Sequence, residues 1–252
     1  MKKAELLQEI NQKPLPKHIA IILDGNGRWA KKKGLPRNLG HKAGAKNLYN
    51  IVNYAYEIGI KAVTVFAFST ENWNRPKDEI DYLMEEALKF KDEYQKRIKE
   101  KNFRVKIIGE RAPLSEEILK LIDETNENSK DKDAFYFTIC LNYGSKQEII
   151  SAVRKVVEDV QKGILKEEDI NDKMFENYLY TNELPPLDLL IRTSGEERIS
   201  NFLLWQLAYA ELYFTKTYWP DFSKLDLLDA IHHFQNRKRR FGGLDKEWKK
   251  EQ

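Results

Sequence analysis

The chain reads Leu187-Asp188-Leu189-Leu190-Ile191-Arg192-Thr193-Ser194-Gly195 where an apolar run meets a small polar loop. The apolar run predicts a buried strand, and the loop continues to Asn201 with two guanidiniums, Arg192 and Arg198. Open α/β sheets bind ligands at the carboxyl ends of their strands, and a planar guanidinium pairs bidentately with phosphate oxygens. The stretch therefore favours a site for an oligo-anion such as a diphosphate. The alternative is a surface loop whose arginines pair with Glu196 and Glu197.

The rest of the chain alternates between extended and helical patterns. Further strands are predicted over Ile19 to Leu23, Ala62 to Phe68, Val105 to Ile108 and Phe135 to Leu141. Apolar residues at helical spacing predict helices over Leu48 to Ile58, from Asp78, from Ser115, after the capping-box pattern Ser145-Lys146-Gln147-Glu148, and over Leu225 to Phe234. Phe202 to Phe214 is ambiguous between helix and strand. This alternation predicts a single α/β domain with a central, mainly parallel sheet flanked by helices.

Composition limits the classes of partner. The 252 residues are 41% hydrophobic, enough for a sizeable core, and Lys+Arg (43) nearly balances Asp+Glu (40), so nucleic acid is not favoured. The single cysteine, Cys140, lies in a predicted strand and indicates a core residue in a reducing compartment. Residues 1–17 lack the apolar core of a secretory signal, and no stretch is long and apolar enough to span a bilayer, so we expect a cytoplasmic protein.

A second candidate anion loop, Asp24-Gly25-Asn26-Gly27-Arg28-Trp29, directly follows the first predicted strand. Its two glycines allow a tight turn that offers backbone N–H groups to an anion, and Arg28 adds a positive charge. Asp24 is a hard oxygen donor suited to Mg²⁺. The loop matches neither the P-loop nor the dinucleotide-binding pattern, and the alternative is a simple Asp-Gly or Asn-Gly turn.

Two further groups of polar residues follow along the chain. Arg37 and His41 come just before a predicted helix, where the histidine would either bind phosphate or cap the helix. Ser69-Thr70-Glu71-Asn72-Trp73-Asn74-Arg75-Pro76 follows the second strand and mixes hydroxyl, carboxylate, amide, indole and guanidinium groups. The alternative for this segment is a turn with Trp73 packed over the core.

Glu211 lies in the apolar segment 208–214, where a buried carboxylate is costly unless it is paired or metal-bound. The alternative is an ordinary surface glutamate. Together with the strand-end loops, the two carboxylates Asp24 and Glu211 indicate a magnesium-assisted diphosphate site. The apolar side of the helix after Asp78 would either pack in the core or line a cavity for an apolar substrate.

Long segments of the chain match a known family in order. They are residues 18–30, Gly40-His41, residues 66–76, Asn142-Tyr143-Gly144, residues 192–205 and Trp219-Pro220-Asp221-Phe222. On these segments the chain, from His18 to Gly243, resembles the cis-prenyltransferases, and among them the bacterial undecaprenyl diphosphate synthases.

The resemblance implies a homodimer with a hydrophobic tunnel beside the sheet and a Mg²⁺ cofactor. It implies that isopentenyl diphosphate units are condensed onto farnesyl diphosphate to give a long-chain, undecaprenyl-type diphosphate, the precursor of the lipid carrier for bacterial cell-wall synthesis. It also implies an N-terminal extension over 1–17, a catalytic domain over 18–243 and a C-terminal tail over 244–252. A cytoplasmic enzyme of this kind would contact the inner face of the membrane peripherally to release its product.

The resemblance also carries roles to individual residues. Asp24 would be the essential magnesium ligand and catalytic residue, and Glu211 would complete the metal site from the partner's side of the dimer or from near it. The residues that cradle the allylic diphosphate would be Gly25, Asn26, Gly27 and Arg28, with Arg37 and His41 beside it, and Trp29 would line the site. Those serving the reacting centre would be Ser69, Thr70, Glu71, Asn72, Trp73 and Arg75, and those holding isopentenyl diphosphate would be Arg192, Arg198, Ile199 and Ser200. The family assigns proton acceptance to the position of Asn72, but a neutral amide is a poor base, so we expect it to position a water or a diphosphate oxygen.

The chain departs from the family at two places. Glu197 stands where the family often has histidine or glutamine, and its negative charge between Arg192 and Arg198 is expected either to weaken diphosphate binding or to alter its pH dependence. Ser145-Lys146 replaces the usual Gly-Arg, which keeps the charge but leaves the role of that loop open.

Two other functions fit the same fold. One is a non-catalytic accessory subunit, although such subunits lack the aspartate-glycine-asparagine loop that this chain keeps. The other is a phosphate-binding module without chemistry. Arg240-Phe241-Gly242 resembles a motif that reaches across a dimer, or is part of a basic surface tail.

Overall fold

Six strands form one sheet in a computed structural model that describes residues 3–10, 12–97 and 101–237. In chain order they are β1 (His18–Ile22), β2 (Ala62–Ser69), β3 (Phe103–Ile108), β4 (Phe135–Tyr143), β5 (Leu189–Arg192) and β6 (Glu211–Phe214). The order across the sheet is β3-β4-β2-β1-β5-β6, and every neighbouring pair is parallel. The predicted parallel α/β sheet is therefore confirmed, and the loops that follow β1, β2, β4 and β5 meet at one edge.

Helices cover both faces of this sheet. They are α1 (Lys3–Ile10), α2 (Asn26–Lys32), α3 (Arg37–Glu57), α4 (Lys77–Arg97), α5 (Glu116–Asn128), α6 (Ser145–Gln161), α7 (Asp172–Glu176) and α8 (Lys224–Gln235). Short 3₁₀ helices lie at Thr70–Asn74, Glu167–Asp169 and Trp219–Asp221. No helix in these described ranges is long and apolar enough to cross a membrane.

β1 and β5 are buried throughout and β2 and β4 nearly so, which is why these strands read as continuous apolar runs rather than alternating ones. In β1, Ile19 and Ile21 belong to the larger core under α3, α5 and α8, while Ala20 and Ile22 belong to a smaller core on the other face. Cys140 of β4 packs in that smaller core, fully buried. Burial raises the pKa of its thiol well above the ordinary value, so the residue is a protonated core side chain.

Two local predictions need correction, and one segment left open is now assigned. The Ser145–Glu148 capping box does not form: Gly144 is the N-cap, and the buried Glu148 carboxylate accepts from Tyr143 Oη (2.5 Å) and from the Tyr180 N–H (2.8 Å). These tertiary hydrogen bonds replace the local cap. Phe202 to Phe214 forms turns followed by the short strand β6. Arg37 and His41 lie inside the first two turns of α3 rather than before it, because the helix starts at Arg37 after Pro36 fixes an extended N-cap.

The predicted N-terminal extension contains a helix that docks on the domain. In α1, Glu9 Oε1 lies 3.0 Å from His232 Nε2 of α8, and Gln235 Nε2 donates to the Ile10 carbonyl (3.0 Å). The boundary after residue 17 stays a prediction. The predicted tail over 244–252 and Arg240-Phe241-Gly242 lie outside the described residues.

Candidate active site

Asp24 lies directly beyond β1, and its carboxylate contacts two guanidiniums. Its Oδ1 is 3.1 Å from Arg28 Nη2, and its Oδ2 accepts from Arg192 Nη2 at 2.9 Å. Its backbone carbonyl accepts from Thr193 Oγ1 (2.7 Å) and from the Trp219 N–H (3.0 Å), which fixes the residue at the strand end. The side chain is 26% exposed, so Asp24 is held in place and still accessible.

Arg192, the last residue of β5, connects Asp24 to the loop that follows β5. Its side chain is 5% exposed, and Nη1 donates to Ser200 Oγ (2.9 Å) and to the Arg198 carbonyl. Within the described chain its buried Nε finds no hydrogen-bond partner, and neither does the buried Ser194 Oγ. A buried polar group without a partner is costly, so this edge of the sheet is suited to a ligand or water that supplies one.

Glu196 extends this arrangement toward solvent. It accepts from Arg28 Nη1 at 2.5 Å and also pairs with Arg198 Nη1. Hydrogen bonds from Arg198 and then Arg28 lower the pKa of Glu196 below its ordinary value. Charges thus alternate in the order Arg192, Asp24, Arg28, Glu196, Arg198. The arginines pair with a nearby acid, as the surface-loop alternative required, but that acid also joins both predicted anion loops; Glu197 is exposed.

Two guanidiniums and one imidazole surround the nearly buried Glu79, which was not predicted from the sequence. Its Oε1 is 2.8 Å from Arg75 Nη1, 3.1 Å from Arg37 Nη2 and 3.7 Å from His41 Nε2. Burial lowers the pKa of His41, so its imidazole is neutral near pH 7. The only local sign of Glu79 in the sequence is its spacing of four residues from Arg75.

The loop after β2 folds as the 3₁₀ helix Thr70–Asn74. Asn72 caps the N-terminus of this helix, because its Oδ1 accepts from the Ser69 N–H at 3.1 Å. Trp73 Nε1 donates to Asn142 Oδ1 (2.7 Å) and the ring packs edge-on against Phe68 with centroids 5.2 Å apart. Trp73 is therefore a packing residue of this loop, as the alternative for this segment anticipated.

Position 25 accommodates glycine but no residue with a side chain. Its φ is +104°, and a Cβ there would lie 2.8 Å from the Tyr218 ring and 2.9 Å from Ser194. The turn between β1 and α2 can therefore bring the backbone close to the loop after β5 only with glycine at this position.

A cavity of about 1100 Å³ begins at these charged residues and continues along the sheet. Most predicted site residues line it: Asp24, Gly25, Asn26, Gly27, Arg28, Arg37, His41, Ser69, Glu71, Asn72, Arg75, Arg192, Arg198 and Ser200. Its deeper wall is apolar and is formed by Leu48, Phe66, Leu83, Ala87, Ile107, Leu121, Ile139 and Leu141. The apolar side of α4 thus lines the cavity as well as packing on the core.

Five predicted residues do not line this cavity: Trp29, Thr70, Trp73, Ile199 and Glu211. The indole N–H of Trp29 donates to Asp221 Oδ1 (2.7 Å), outside the cavity. Glu211 begins β6 in register with Leu189, whereas Asp24 lies beyond the residue that pairs with Arg192. At about 3.3 Å per residue, the backbone positions of the two residues are about 13 Å or more apart along the strands. One chain does not bring Glu211 to Asp24, and its contribution from a partner subunit stays a prediction.

The donor set around Asp24 fits a shared Mg²⁺. No group of three or more His, Cys, Asp or Glu side chains in the described ranges is arranged to hold a metal by itself. Mg²⁺ at phosphate sites usually takes one or two carboxylates and completes its shell with substrate oxygens and water. Asp24 is an accessible carboxylate between two guanidiniums, so it suits an ion that shares its shell with an anionic ligand.

Comparisons with known proteins agree with this geometry. Residues 22–242 match the family described as "Putative undecaprenyl diphosphate synthase". An isoprenyl transferase of Thermotoga maritima is 49% identical over 91% of this chain and 98% of its own length, and one of Clostridium perfringens is 48% identical over 91% of each. The crystal structure of lavandulyl diphosphate synthase from Lavandula x intermedia, in complex with dimethylallyl diphosphate, covers 93% of this chain and all of its own, with a TM-score of 0.87 and 37% identity.

The fold and these relatives together define an enzyme that transfers prenyl groups. The chain belongs to the undecaprenyl diphosphate synthase family of cis-prenyltransferases.

Proposed function

We propose that this chain is a magnesium-dependent cis-prenyltransferase that condenses isopentenyl diphosphate units onto farnesyl diphosphate. Its product would be a long-chain, undecaprenyl-type diphosphate, the precursor of the lipid carrier for bacterial cell-wall synthesis. The observation that carries the proposal is the position of the arginine-rich strand-end loops at the polar end of an apolar cavity of about 1100 Å³. Diphosphates suit the charged end, and a growing prenyl chain suits the apolar walls.

The guanidiniums supply binding and charge stabilisation. Arg28, Arg37 and Arg75 would contact the allylic diphosphate, on which negative charge develops as its C–O bond breaks. Mg²⁺ held by Asp24 would add Lewis-acid stabilisation of the same charge. Arg198 and Ser200 would bind the diphosphate of isopentenyl diphosphate and bring its alkene beside the allylic carbon.

Each cycle balances as one new C–C bond, one released diphosphate and one released proton. The alkene attacks the allylic carbon, and loss of a proton from the adduct restores a double bond. Asn72 is unsuited to take that proton, because it is a neutral amide whose oxygen already accepts from the Ser69 N–H. We therefore propose that Asn72 positions a water or a diphosphate oxygen.

The cavity would receive the elongating chain. Each buried methylene gains about 0.8 kcal/mol, so extension into an apolar cavity is favourable until the far wall is reached. Ile107 of β3 and Leu121 of α5 belong to the part of the wall farthest across the sheet from β1. The dimensions of this wall would then limit product length.

A homodimer and a transient membrane contact complete the proposal. Ile150, Val153 and Val157 form an exposed apolar stripe on α6, and β6 is an edge strand with Leu212 exposed. A second copy would cover such surfaces, which analytical ultracentrifugation tests directly. Release of an apolar product requires a peripheral contact of this cytoplasmic enzyme with the inner face of the membrane.

One assay tests the function. Purified protein is incubated with farnesyl diphosphate, isopentenyl diphosphate and Mg²⁺, released diphosphate is measured, and the dephosphorylated product is sized. We expect long-chain polyprenols and none when isopentenyl diphosphate is omitted. Absence of diphosphate release would favour an accessory subunit or a binding module. Formation of lavandulyl diphosphate from dimethylallyl diphosphate would instead favour an activity like that of the lavandulyl diphosphate synthase.

A further inference from the structure

Asn201 lies at the junction of three strand-end loops. Its Nδ2 donates to Glu71 Oε1 (2.9 Å) after β2 and to Gln147 Oε1 (3.2 Å) after β4. Its Oδ1 accepts from the Lys146 N–H (2.9 Å), and its backbone carbonyl accepts from the Ser145 N–H (2.8 Å). The amide nitrogen and the amide oxygen of Asn201 thus both bond to residues that are 54 or more positions away in the sequence.

The backbone around Asn201 is held in an unfavourable conformation. Ser200, Asn201 and Leu203 have φ values of 50°, 61° and 49°, in the left-handed region that residues other than glycine rarely adopt. Asparagine tolerates this region best among them. Strained backbone persists only where surrounding contacts impose it, and it is frequent at functional sites.

The first turn of α6 supplies those surrounding contacts. Besides the two backbone donors to Asn201, Ser145 Oγ accepts from the Leu204 N–H at 2.8 Å, and Gln206 Nε2 donates to Glu148 Oε2 at 3.2 Å. The loop from Asn201 to Gln206 is therefore fixed to α6 at three successive points. A residue without a hydroxyl at position 145 would lack the bond from the Leu204 N–H.

Glu71 is kept as an ionised acceptor for the Asn201 amide. Partial burial would by itself raise the pKa of Glu71, but hydrogen bonds, above all that from Asn201, lower it below its ordinary value. The contact is thus charge-assisted and connects the 3₁₀ helix after β2 to the loop after β5.

We propose that Asn201 is a positioning residue that fixes the Arg198–Ser200 anion pocket relative to the reacting-centre loop carrying Glu71. Asn201 directly follows Ser200, whose hydroxyl accepts from Arg192, so a shift of Asn201 moves the pocket itself. Displacements of about 1 Å between reacting groups cost large factors in rate. The inference rests on the proposed function, since it names the pocket as that of isopentenyl diphosphate.

The test replaces the donor end of the amide. Asn201→Asp is isosteric, tolerates the left-handed backbone and keeps an acceptor for the Lys146 N–H, but it places a second carboxylate against Glu71. We expect the KM for isopentenyl diphosphate to rise about tenfold, with the KM for farnesyl diphosphate changed less than about twofold. Asn182→Asp, the same change at an exposed loop position, is the matched control and should change neither value.

A double-mutant cycle separates positioning from general destabilisation. In a Glu71→Gln background the glutamine amide can donate to the new aspartate, so Asn201→Asp should there cost about twofold or less. Equal costs in both backgrounds, or equal changes in both KM values, would overturn the inference. If Asn201→Asp does not fold, Ser145→Ala decides: a selective rise of about threefold in the isopentenyl diphosphate KM supports the inference, and no change contradicts it.

Direct binding keeps the two proposals apart. The dissociation constant of isopentenyl diphosphate is measured by calorimetry on the same variants, so the inference is decided even if the chain makes no product. If the wild-type protein elongates farnesyl diphosphate and the Asn201→Asp variant binds and reacts equally well, only the inference is contradicted. An unchanged chain that does not bind isopentenyl diphosphate would contradict both.

Discussion

The two ends of the same strands carry polar clusters of opposite character. At the amino end, His18 of β1 donates through Nδ1 to the Pro185 carbonyl (2.9 Å) and accepts through Nε2 from Thr64 Oγ1 (2.8 Å), with 1% of the residue exposed. At the carboxyl end, Asp24 and its arginines are charged and partly exposed beside a cavity.

This difference suits the buried His18 cluster to stabilising the fold and the accessible Asp24 cluster to binding a ligand. At the amino end the His18 imidazole is buried and both ring nitrogens are paired, so the ring offers no free group to a ligand. The carboxyl-end cluster is held together by ion pairs that a diphosphate can replace, because phosphate oxygens bind the same guanidiniums. Sheets of this kind place ligands at the carboxyl edge, and here the two edges show why.

The largest expected effect is on turnover at the carboxyl end. Asp24→Ala should lower kcat by about a thousandfold, roughly 4 kcal/mol, through lost metal binding. Steady-state assays with both substrates and Mg²⁺ measure this. His18→Gln, at the other end of β1, is the control and should leave kcat within about twofold once folded. Near-normal turnover of Asp24→Ala would remove the basis of the proposed mechanism.

The next effect concerns stability at the amino end. Burial lowers the pKa of His18 to about 4, against an unfolded value of 6.5. The unfolded chain therefore binds a proton that the folded chain refuses, and stability present above pH 6.5 is lost as pH falls toward 4. Over that window the difference amounts to about 3 kcal/mol.

Urea unfolding between pH 7 and pH 4 measures this loss. The His18→Gln variant should start less stable and show a flatter pH dependence in the same window. An identical dependence in both proteins would mean that His18 is not the titrating group.

Arg198→Ala distinguishes the two anion pockets within the carboxyl end. We expect the KM for isopentenyl diphosphate to rise about tenfold, equivalent to about 1.4 kcal/mol, with a smaller change for farnesyl diphosphate. Arg75→Ala should show the reverse preference, because Arg75 belongs to the Glu79 cluster. Equal effects of either variant on both substrates would show that the pockets are assigned wrongly.

The smallest expected effect is on diphosphate affinity and comes from removing the negative charge of Glu196. Glu196 pairs with Arg28 and Arg198, so Glu196→Gln should lower the dissociation constant of inorganic diphosphate by about threefold, within the usual worth of exposed ion pairs. Calorimetry at low and high salt measures it. Glu197→Gln removes the same charge from the exposed neighbour and should have less effect; an equal effect would mean that only net charge matters.

The strand-end loops could be predicted because parallel strands bring their carboxyl ends together, whatever the intervening helices do. Asp24 and Arg192 therefore met as expected, although they are 168 residues apart. Glu79 was missed, since its contacts with Arg37 and His41 join distant segments and only its spacing from Arg75 is local. The contacts of Asn201 were missed although the residue ends the predicted loop, because its side-chain partners are 54 or more residues away. The Ser145 capping box failed for the same reason: Glu148 found buried partners that no local pattern records.

The position of Glu211 in the sheet could not be predicted from the sequence. Its apolar surroundings indicated a special role, but the register of β6 decides which end of the sheet it occupies, and register depends on pairing rather than on local sequence.

The buried thiol of Cys140 allows a fluorescent label to be attached at a chosen position elsewhere in the protein. Because the chain has one cysteine and that residue is buried and protonated, labelling reagents should leave the unmodified protein untouched. A fluorophore attached through Leu88→Cys, on the outer side of α4, would then be a background-free reporter of how that wall responds as the cavity fills.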